Sequence, residues 1–311
     1  MTVKTCEVVR ETAVAAPASV VYGLVADVDR WTHLYPPAAH AEYLERGLDE
    51  DLVEQWSVVD EHTVRHWVVR RGLDPVRERT ISFEHDPAGP LAVRGDWTFE
   101  PGIGDSTVVR MRHVFADTGN RDEIAARMAE SSERYLTCLR DSAERREELE
   151  QIVISFEDPL FVSGSVKDVY EYLYEADKWP DRIPHVTRLV LEENTPGVQF
   201  FDMDTVSADG SRHTTRSVRI CLPDDKIVYK QIRTPKMLEA HTGHWLFTET
   251  PEGVVASARH TATIRPAIVP EVLGAGAGVP EARRYLRRVL CANSVSNLRL
   301  AKEFAEQRAG V

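Results

Sequence analysis

The sequence predicts an α+β protein made of two tandem copies of one domain, each a curved antiparallel sheet wrapped around a long C-terminal helix with an internal pocket. Three observations predict this fold class. The chain has 311 residues, more than one hydrophobic core usually serves. A series of motifs recurs at an offset of 148 residues. In each copy several strand-like segments precede one long helical pattern, which is typical of α+β rather than βαβ order.

Composition narrows the class of protein. Hydrophobic residues make up 42% and charged residues 28% of the chain, as in ordinary soluble domains. A net charge of −12 repels phosphate backbones, so we expect no nucleic-acid partner. No apolar run reaches the ~20 residues of a membrane span, and the N-terminus lacks the apolar core of a signal peptide. The four cysteines are far apart and form no CxxC motif, which favours a cytoplasmic protein without disulfides.

Matching residues fix the register of the repeat. Asp29-Arg30-Trp31 corresponds to Asp177-Lys178-Trp179, and Arg71 corresponds to Arg219. Further pairs in the same register are Pro36 with Pro184, Pro75 with Pro223, and Gly95-Asp96-Trp97 with Gly243-His244-Trp245; after a slip of one residue Arg112-His113 matches Arg259-His260. We therefore predict domains at 1–149 and 150–311, joined by the charged run at 144–150, which has no Gly or Pro and favours a helix end.

The elements follow in the same order in both copies. An extended stretch comes first, at 7–14 and 152–156. A short helix follows, with an apolar face of Val21, Leu24, Val25 and Val28 in the first copy and an N-cap at Ser165 in the second. Alternating segments predict strands at 52–60, 63–71, 78–85, 91–100 and 107–115, and at 197–207, 212–221, 226–233, 240–249 and 253–264. Long helices at 122–149 and 280–307 close the copies; a helix of ~27 residues spans ~40 Å.

Several motifs are distinctive. In the first copy they are Asp29-Arg30-Trp31 with the Pro36-Pro37 turn, Trp67-Val68-Val69-Arg70-Arg71 and Gly95-Asp96-Trp97; in the second, Trp179-Pro180, Pro184-His185-Val186, Met203-Asp204-Thr205, the strand from His213 to Arg219, Tyr229-Lys230-Gln231 and His241-Thr242-Gly243-His244-Trp245. With this order of elements, the chain resembles the helix-grip fold of START and Bet v 1-like proteins. In detail it resembles the di-domain aromatase/cyclases of bacterial type II polyketide synthases.

This resemblance implies a substrate and a reaction. The substrate is a linear poly-β-ketone carried on an acyl carrier protein, so the other polyketide synthase components are expected partners. The reaction is a regiospecific intramolecular aldol closure of the first ring, followed by dehydration to an aromatic ring. We expect no cofactor. In single-domain relatives an essential arginine on a central strand projects into the pocket, and by position it corresponds to Arg71 and Arg219. The relatives' pocket tyrosine falls on Ala38 and Val186, and Tyr35 is the candidate substitute.

Strand parity adds neighbours to the two arginines. Ser217, Thr215 and His213 share the face of Arg219, whereas Val69, Trp67 and Arg65 share the face of Arg71. We predict a roomier and more polar site in the second copy. The predicted catalytic residues are Arg219, Arg71, Ser217 and His244, and the predicted substrate-binding residues are Tyr35, Trp67, Trp97, Thr205, His213, Thr215, His241 and Trp245. His241 and His244 are three residues apart on a strand, so only one of them can face a pocket.

Simpler interpretations stay open. A strand arginine is often a solvated surface residue, and Trp97 and Trp245 could be core residues instead of flat walls for a planar substrate. The 11 histidines lack metal-ligand spacing, so no metal site is expected. Asp202 and Asp204 share a strand face, as is common at a sheet surface. Two other functions suit the fold: a non-catalytic carrier of lipids or other apolar small molecules, and a regulatory protein in which one copy binds a ligand and the other a partner.

Overall fold

The chain forms two compact units, each built on its own antiparallel sheet. The computed structural model describes residues 5–85, 93–117, 119–206, 210 and 212–310. One unit comprises Met1–Val59 with Thr63–Glu148, and the other comprises Asp60–His62 with Leu149–Val311. Each unit holds a seven-stranded sheet and a long helix late in its sequence. The predicted α+β class is confirmed.

The first domain is a meander of strands closed by a helix. Its elements are β1 (Thr5–Val14), α1 (Ala18–Ala26), a 3₁₀ turn (Val28–Arg30), α2 (Trp31–Leu34), β2 (Ala38–Arg46), β3 (Glu50–Val58), β4 (Val64–Leu73), β5 (Thr80–His85), β6 (Val93–Pro101), β7 (Thr107–Ala116) and α3 (Arg121–Glu144). The strands lie in the order β1-β7-β6-β5-β4-β3-β2. Strands β1 and β2 are therefore the two edge strands of the sheet. Helices α1 and α2 form the connection between them.

The second domain repeats this order. After α4 (Arg146–Ile152) come β8 (Val153–Val162), α5 (Val166–Tyr174), a 3₁₀ turn (Ala176–Lys178), α6 (Trp179–Arg182), β9 (Val186–Thr195), β10 (Val198–Val206), β11 (Arg212–Leu222), β12 (Lys226–Arg233), β13 (Leu238–Thr250), β14 (Gly253–Ile264), a 3₁₀ turn (Pro266–Ile268), α7 (Val269–Leu273) and α8 (Val279–Ala309). Its strand order, β8-β14-β13-β12-β11-β10-β9, matches that of the first sheet. None of the described helices is long and apolar enough to cross a membrane.

The predicted elements need three corrections. Strands β2 and β9, which follow the Pro turns, were not predicted; β2 opens with Ala-Ala-His-Ala, and small residues give weak apolar alternation. The helix predicted at 122–149 is two helices, since α3 ends at Glu144 and α4 starts at Arg146. The extended stretch predicted at 152–156 continues as β8 to Val162. Positions 91, 92 and 207 of the predicted strands lie outside the described residues.

The short helices were predicted correctly. Val21, Leu24, Val25 and Val28 are all buried, as the helical periodicity requires. In the second domain the Ser165 hydroxyl accepts a hydrogen bond from the Asp168 backbone N–H at 3.1 Å, so it is the expected N-cap of α5. Both helices pack against their sheet and late helix through these apolar faces.

One glycine in each sheet has no room for a side chain. A Cβ on Gly95 would lie 1.9 Å from the Arg112 carbonyl oxygen, and one on Gly243 would lie 2.1 Å from that of Arg259. The same hypothetical atoms would lie 2.6 Å from ring atom Cζ of Phe83 and 2.6 Å from Cζ of Tyr229. The glycines therefore let an aromatic ring from the neighbouring strand lie flat across the sheet.

Candidate active site

The predicted arginine of the first domain tethers a helix end to the sheet. Arg71 on β4 donates from Nη1 to the Val25 carbonyl and from Nη2 to the Ala26 carbonyl, both at 2.9 Å. These are carbonyls of the last turn of α1, which have no partner within the helix. Nε and Nη2 also bind the two carboxylate oxygens of Asp51 at 2.8 and 2.6 Å. The guanidinium lies 5.1 Å from the ring centre of Trp31.

The second domain repeats the tether with one exchanged partner. Arg219 on β11 donates to the carbonyls of Leu173 and Tyr174 at 2.8 and 2.7 Å, at the end of α5. Its other two hydrogen bonds go to the side-chain oxygen of Gln199. The guanidinium again lies 5.1 Å from a ring centre, here of Trp179. Gln199 stands where the first domain has Asp51, so this buried cation has an amide instead of a carboxylate at that position.

The tether explains why this arginine recurs in both copies. A guanidinium supplies fixed donors for two helix carbonyls and one side chain at once, and a cation favours the negative end of a helix dipole. Burial of Arg219, which is 1% exposed, lowers the pKa of its guanidinium. Four of the five N–H groups of each arginine are used in this way. The geometry is that of positioning residues, and a direct catalytic part for Arg71 and Arg219 stays a prediction.

A cavity of about 610 Å³ lies inside the first domain. It is enclosed by strands β3 to β7, by α3 and by the segment after α1. The predicted residues Tyr35, Trp67, Trp97 and Arg71 line it, together with Val69 and Arg65 from the same strand face; other lining residues are Trp31, Gln55, Ile81, Phe83, His85, Met111, His113, Ser131 and Tyr135. His66 and Val68, which have the opposite parity on β4, line the cavity as well, so strand parity accounts for only part of the β4 contribution.

Two indole N–H groups in the cavity wall lack an acceptor. Trp31 Nε1 and Trp67 Nε1 are buried and have no hydrogen-bond partner within the described part of the chain. An unpaired buried donor costs about 1–3 kcal/mol, so such groups call for a ligand or ordered water. Two residues of the cavity wall thus carry buried donors that no described residue satisfies.

Two histidines in the cavity are neutral at pH 7. Burial lowers the pKa of His85 and of His113 to about 4. The hydroxyl of Ser132 donates to the Met128 carbonyl at 2.7 Å, so His113 Nδ1, 3.3 Å from that hydroxyl, is the donor between them. The ring is therefore the tautomer with an unprotonated Nε2, which can accept a proton or a hydrogen bond.

Two phenols complete the polar part of the wall. Tyr35 and Tyr135 have ring centres 5.6 Å apart, and burial raises the pKa of both hydroxyls. They are therefore protonated donors across the physiological range. Gln55 Nε2 donates to the Tyr135 hydroxyl at 3.3 Å, which fixes that ring from the opposite strand. The placement of Tyr35 in the cavity agrees with its prediction as a binding residue.

The second domain has a buried polar cluster of four residues, which we call the Tyr229 cluster: Tyr229, Gln231, His241 and His260. The Tyr229 hydroxyl lies 2.7 Å from His260 Nδ1, and His241 Nε2 lies 3.1 Å from the same atom. His241 Nδ1 lies 3.0 Å from Gln231 Oε1. Burial lowers the pKa of His260 to about 4 and raises that of Tyr229.

The other predicted residues of the second copy divide between two faces of the sheet. Ser217 and Thr215 are buried on the face of Arg219, and His213 pairs with Thr205 at the half-buried end of β11. Trp245 packs in the apolar core beside Phe247. His244 pairs with Val228 and Arg259 and lies on the opposite face of β13 from His241, since the register is regular there. The interior histidine of this strand is therefore His241, not the predicted catalytic His244.

Sequence reasoning did not assign Trp31 to the cavity, and among the other polar lining residues it also missed Gln55, His85, His113 and Tyr135. His113 could have been found from the sequence, because the pair Arg112-His113 recurs as Arg259-His260. In the structure His113 lies opposite Gly95, and His260 lies opposite Gly243. Gln55, His85 and Tyr135 belong to single-copy positions. The cavity also lies in the first domain, whereas the polar neighbours of Arg219 had favoured the second.

Comparisons with known proteins agree with this architecture. A family described as polyketide cyclase/dehydrase and lipid transport matches residues 14–132. The granaticin polyketide synthase bifunctional cyclase/dehydratase of Streptomyces violaceoruber is 39% identical over 94% of this chain and 92% of its own. The actinorhodin counterpart from Streptomyces coelicolor is 40% identical over 92% of each chain. The crystal structure of the di-domain ARO/CYC StfQ from the steffimycin pathway superposes with a TM-score of 0.90, at 52% identity over 98% of this chain and 100% of that one. For BexL, from the BE-7585A pathway, the TM-score is 0.86 at 37% identity, over 97% and 99%.

These similarities define the class of protein as a two-domain helix-grip protein. The chain belongs to the family of polyketide synthase bifunctional cyclase/dehydratases, the di-domain aromatase/cyclases. The predicted enzyme class is confirmed, and the chain is a polyketide aromatase/cyclase, not a carrier protein.

Proposed function

We propose that the cavity of the first domain folds a linear poly-β-ketone for closure of its first ring. The observation that carries this proposal is a cavity of about 610 Å³ with two unpaired indole donors, Trp31 and Trp67, among the described residues of its wall. A poly-β-ketone has a carbonyl acceptor on every second carbon, so it can satisfy both donors. The volume lies within the range of small-molecule sites, roughly 300–1,000 Å³.

The residues of the wall suit the chemistry of ring closure. An enolate carbon attacks a ketone carbon, and the ketone oxygen becomes an alkoxide. Donors fixed before the reaction stabilise that oxyanion, typically by a factor of about 10²–10³ each. Confinement of the chain holds the enolate carbon close to the ketone carbon, so less conformational entropy is lost on the way to the transition state. In this proposal His113 Nε2 accepts the proton that the reacting carbon loses and returns it to the departing hydroxyl, which leaves as water, while the phenols of Tyr35 and Tyr135 donate hydrogen bonds to the substrate oxygens.

We further propose that an acyl carrier protein delivers the substrate in the cytoplasm. A free poly-β-ketone cyclises by itself, so a directed closure requires that the chain reach the cavity while it is tethered. The four cysteines are free thiols, as a reducing compartment allows. The relatives are named as parts of polyketide synthases, which supports a carrier protein as the donor.

The test is reconstitution with a minimal polyketide synthase and the variant Trp67→Phe. This change keeps an aromatic ring but removes the N–H, so we expect the correctly cyclised product to fall roughly tenfold to a hundredfold relative to shunt products. The control is Trp56→Phe, because Trp56 is not among the residues that line the cavity. Product ratios that are equal in Trp67→Phe and wild type would overturn the assignment of the indole donor.

A further inference from the structure

The second domain replaces an apolar ring of the first by a phenol. In the first sheet Phe83 pairs with Gly95, and in the second Tyr229 pairs with Gly243. Both aromatic rings lie against their glycine, where a Cβ would collide with them. Tyr229 therefore occupies the place of Phe83 and adds a hydroxyl to the interior of the domain.

A second replacement lies two residues before each glycine. The first domain has Val93 there, and the second has His241. The histidine opposite the glycine is common to both, as His113 and His260. The second copy thus keeps one buried histidine and surrounds it with new polar side chains.

The hydrogen bonds of the Tyr229 cluster fix where its protons lie. Gln231 Oε1 can only accept, so His241 Nδ1 carries a proton and, in a neutral ring, His241 Nε2 is a lone pair. His260 Nδ1 is 3.1 Å away and must hold the proton between them, because two lone pairs at this distance repel. The Tyr229 hydroxyl lies 2.7 Å from the same His260 Nδ1 and is its second hydrogen-bonding neighbour. His260 Nε2 is therefore unprotonated.

The Nε2 atom of His260 has no hydrogen-bond donor among the described residues. His260 is 6% exposed, and this atom is buried. Thr215 Oγ1 on β11 and Asn297 Oδ1 on the buried face of α8 share that condition. The Trp179 indole N–H, the counterpart of Trp31, is also unpaired within the described ranges. Arg182 Nη1 and Arg216 Nε are further donors of this domain without a partner in the described ranges, and the Thr215 hydroxyl can donate or accept, so the unpaired acceptors are His260 Nε2 and Asn297 Oδ1.

We propose that the interior of the second domain is a binding site for a hydroxyl-bearing aromatic or enolic ring, whose O–H donates to His260 Nε2. The ligand class rests on the proposed function, because ring closure and dehydration convert carbonyl acceptors into enol and phenol donors. The first domain, with unpaired donors, suits the open poly-β-ketone. The second, with unpaired acceptors, suits the cyclised intermediate.

Binding to the full-length chain tests this assignment without turnover. Protein with ¹⁵N-labelled histidine rings is titrated with 1,3-dihydroxynaphthalene and, separately, with 1,3-dimethoxynaphthalene, which has the same rings but no O–H. The His260 resonance is identified by its loss in His260→Gln. We expect an unprotonated Nε2 signal that the dihydroxy compound shifts toward the protonated range and the dimethoxy compound leaves in place.

Two variants sharpen the result. His241→Val introduces the residue of the first copy, which the fold accommodates, and removes the acceptor that holds the proton on Nδ1. We expect a larger protonated fraction at Nε2 and about tenfold weaker binding of the dihydroxy compound. Thr248→Ala, at an exposed position on the outer face of the same strand, should change neither. An Nε2 signal already protonated in the free protein, or an equal response to both probes, overturns the proposal. Neither outcome affects the Trp67 product ratios, so failure here is distinct from failure of the proposed function.

Discussion

Arg219 shows how a residue that sequence reasoning assigns to catalysis can be explained by folding. Its recurrence at the position of Arg71 predicted an inward side chain, and the structure places both inside their domains. The sequence could not reveal that backbone carbonyls are the partners, because a carbonyl is present at every position. Trp67 was predictable from strand parity with Arg71, whereas Trp31 lies on the short helix α2 and Tyr135 required knowledge of how α3 faces the sheet.

The tether makes a prediction about Arg219→Met. Removal of the guanidinium leaves the carbonyls of Leu173 and Tyr174 and the amide of Gln199 without their donor, so we expect a loss of roughly 2–4 kcal/mol in the free energy of unfolding. Urea unfolding measures it. Arg233→Met is the control, since the Arg233 side chain is 54% exposed. A variant that keeps wild-type stability but loses the cyclised product would instead support the original catalytic assignment of Arg219.

At the scale of elements, the sheets were more predictable than the connections between them. Ten of the strands can be recognised by their β-branched alternation, and Ser165 marks the start of α5. Strand β2 was missed because its opening Ala-Ala-His-Ala gives weak apolar alternation, whereas β9 opens with Val-Thr-Arg-Leu-Val-Leu and could have been recognised from its composition. The end of α3 at Glu144 was also hidden, since the run that follows consists of good helix formers without Gly or Pro.

The close approach of β6 and β7 predicts the effect of Gly95→Ala. A Cβ at this position would lie 1.9 Å from a backbone oxygen that cannot turn away, so the strands must separate. We expect the melting temperature to fall by several degrees, in line with a loss of about 2 kcal/mol or more. Gly23→Ala is the matched control. Nothing lies within 4 Å of a Cβ there, and alanine favours a helix, so α1 should gain stability. Equal melting temperatures for the two variants would refute the crowding argument.

At the scale of the whole molecule, the differences between the two copies of the repeat bear on function. The two copies share strand order, tether and glycine, and they differ in the polar atoms that their interiors leave unpaired among the described residues. The predicted domain limits, 1–149 and 150–311, remain a proposal. The unit of the second domain starts at Leu149, which packs with Ile152 against its core.

Separate expression of 1–145 and 146–311 follows from that packing. Because Leu149 and Ile152 pack in the second core, we expect 146–311 to unfold cooperatively as an isolated fragment. A fragment 153–311, which lacks α4, should lose roughly 2–4 kcal/mol by removal of these buried side chains. Denaturant unfolding followed by circular dichroism gives both values. Fragments of equal stability would show that α4 does not belong to the second core.

The tether has a consequence for how such a protein can evolve. The acceptors on the helix are main-chain oxygens, which substitutions in the helix do not remove. One arginine per domain is therefore enough to keep the helix end hydrogen-bonded to the sheet. The helices themselves have drifted to Ala-Ser-Val-Val-Tyr-Gly-Leu-Val-Ala and Val-Lys-Asp-Val-Tyr-Glu-Tyr-Leu-Tyr without loss of the corner. Because these hydrogen bonds do not depend on the helix side chains, the residues that line one domain can change after duplication while both domains keep their fold.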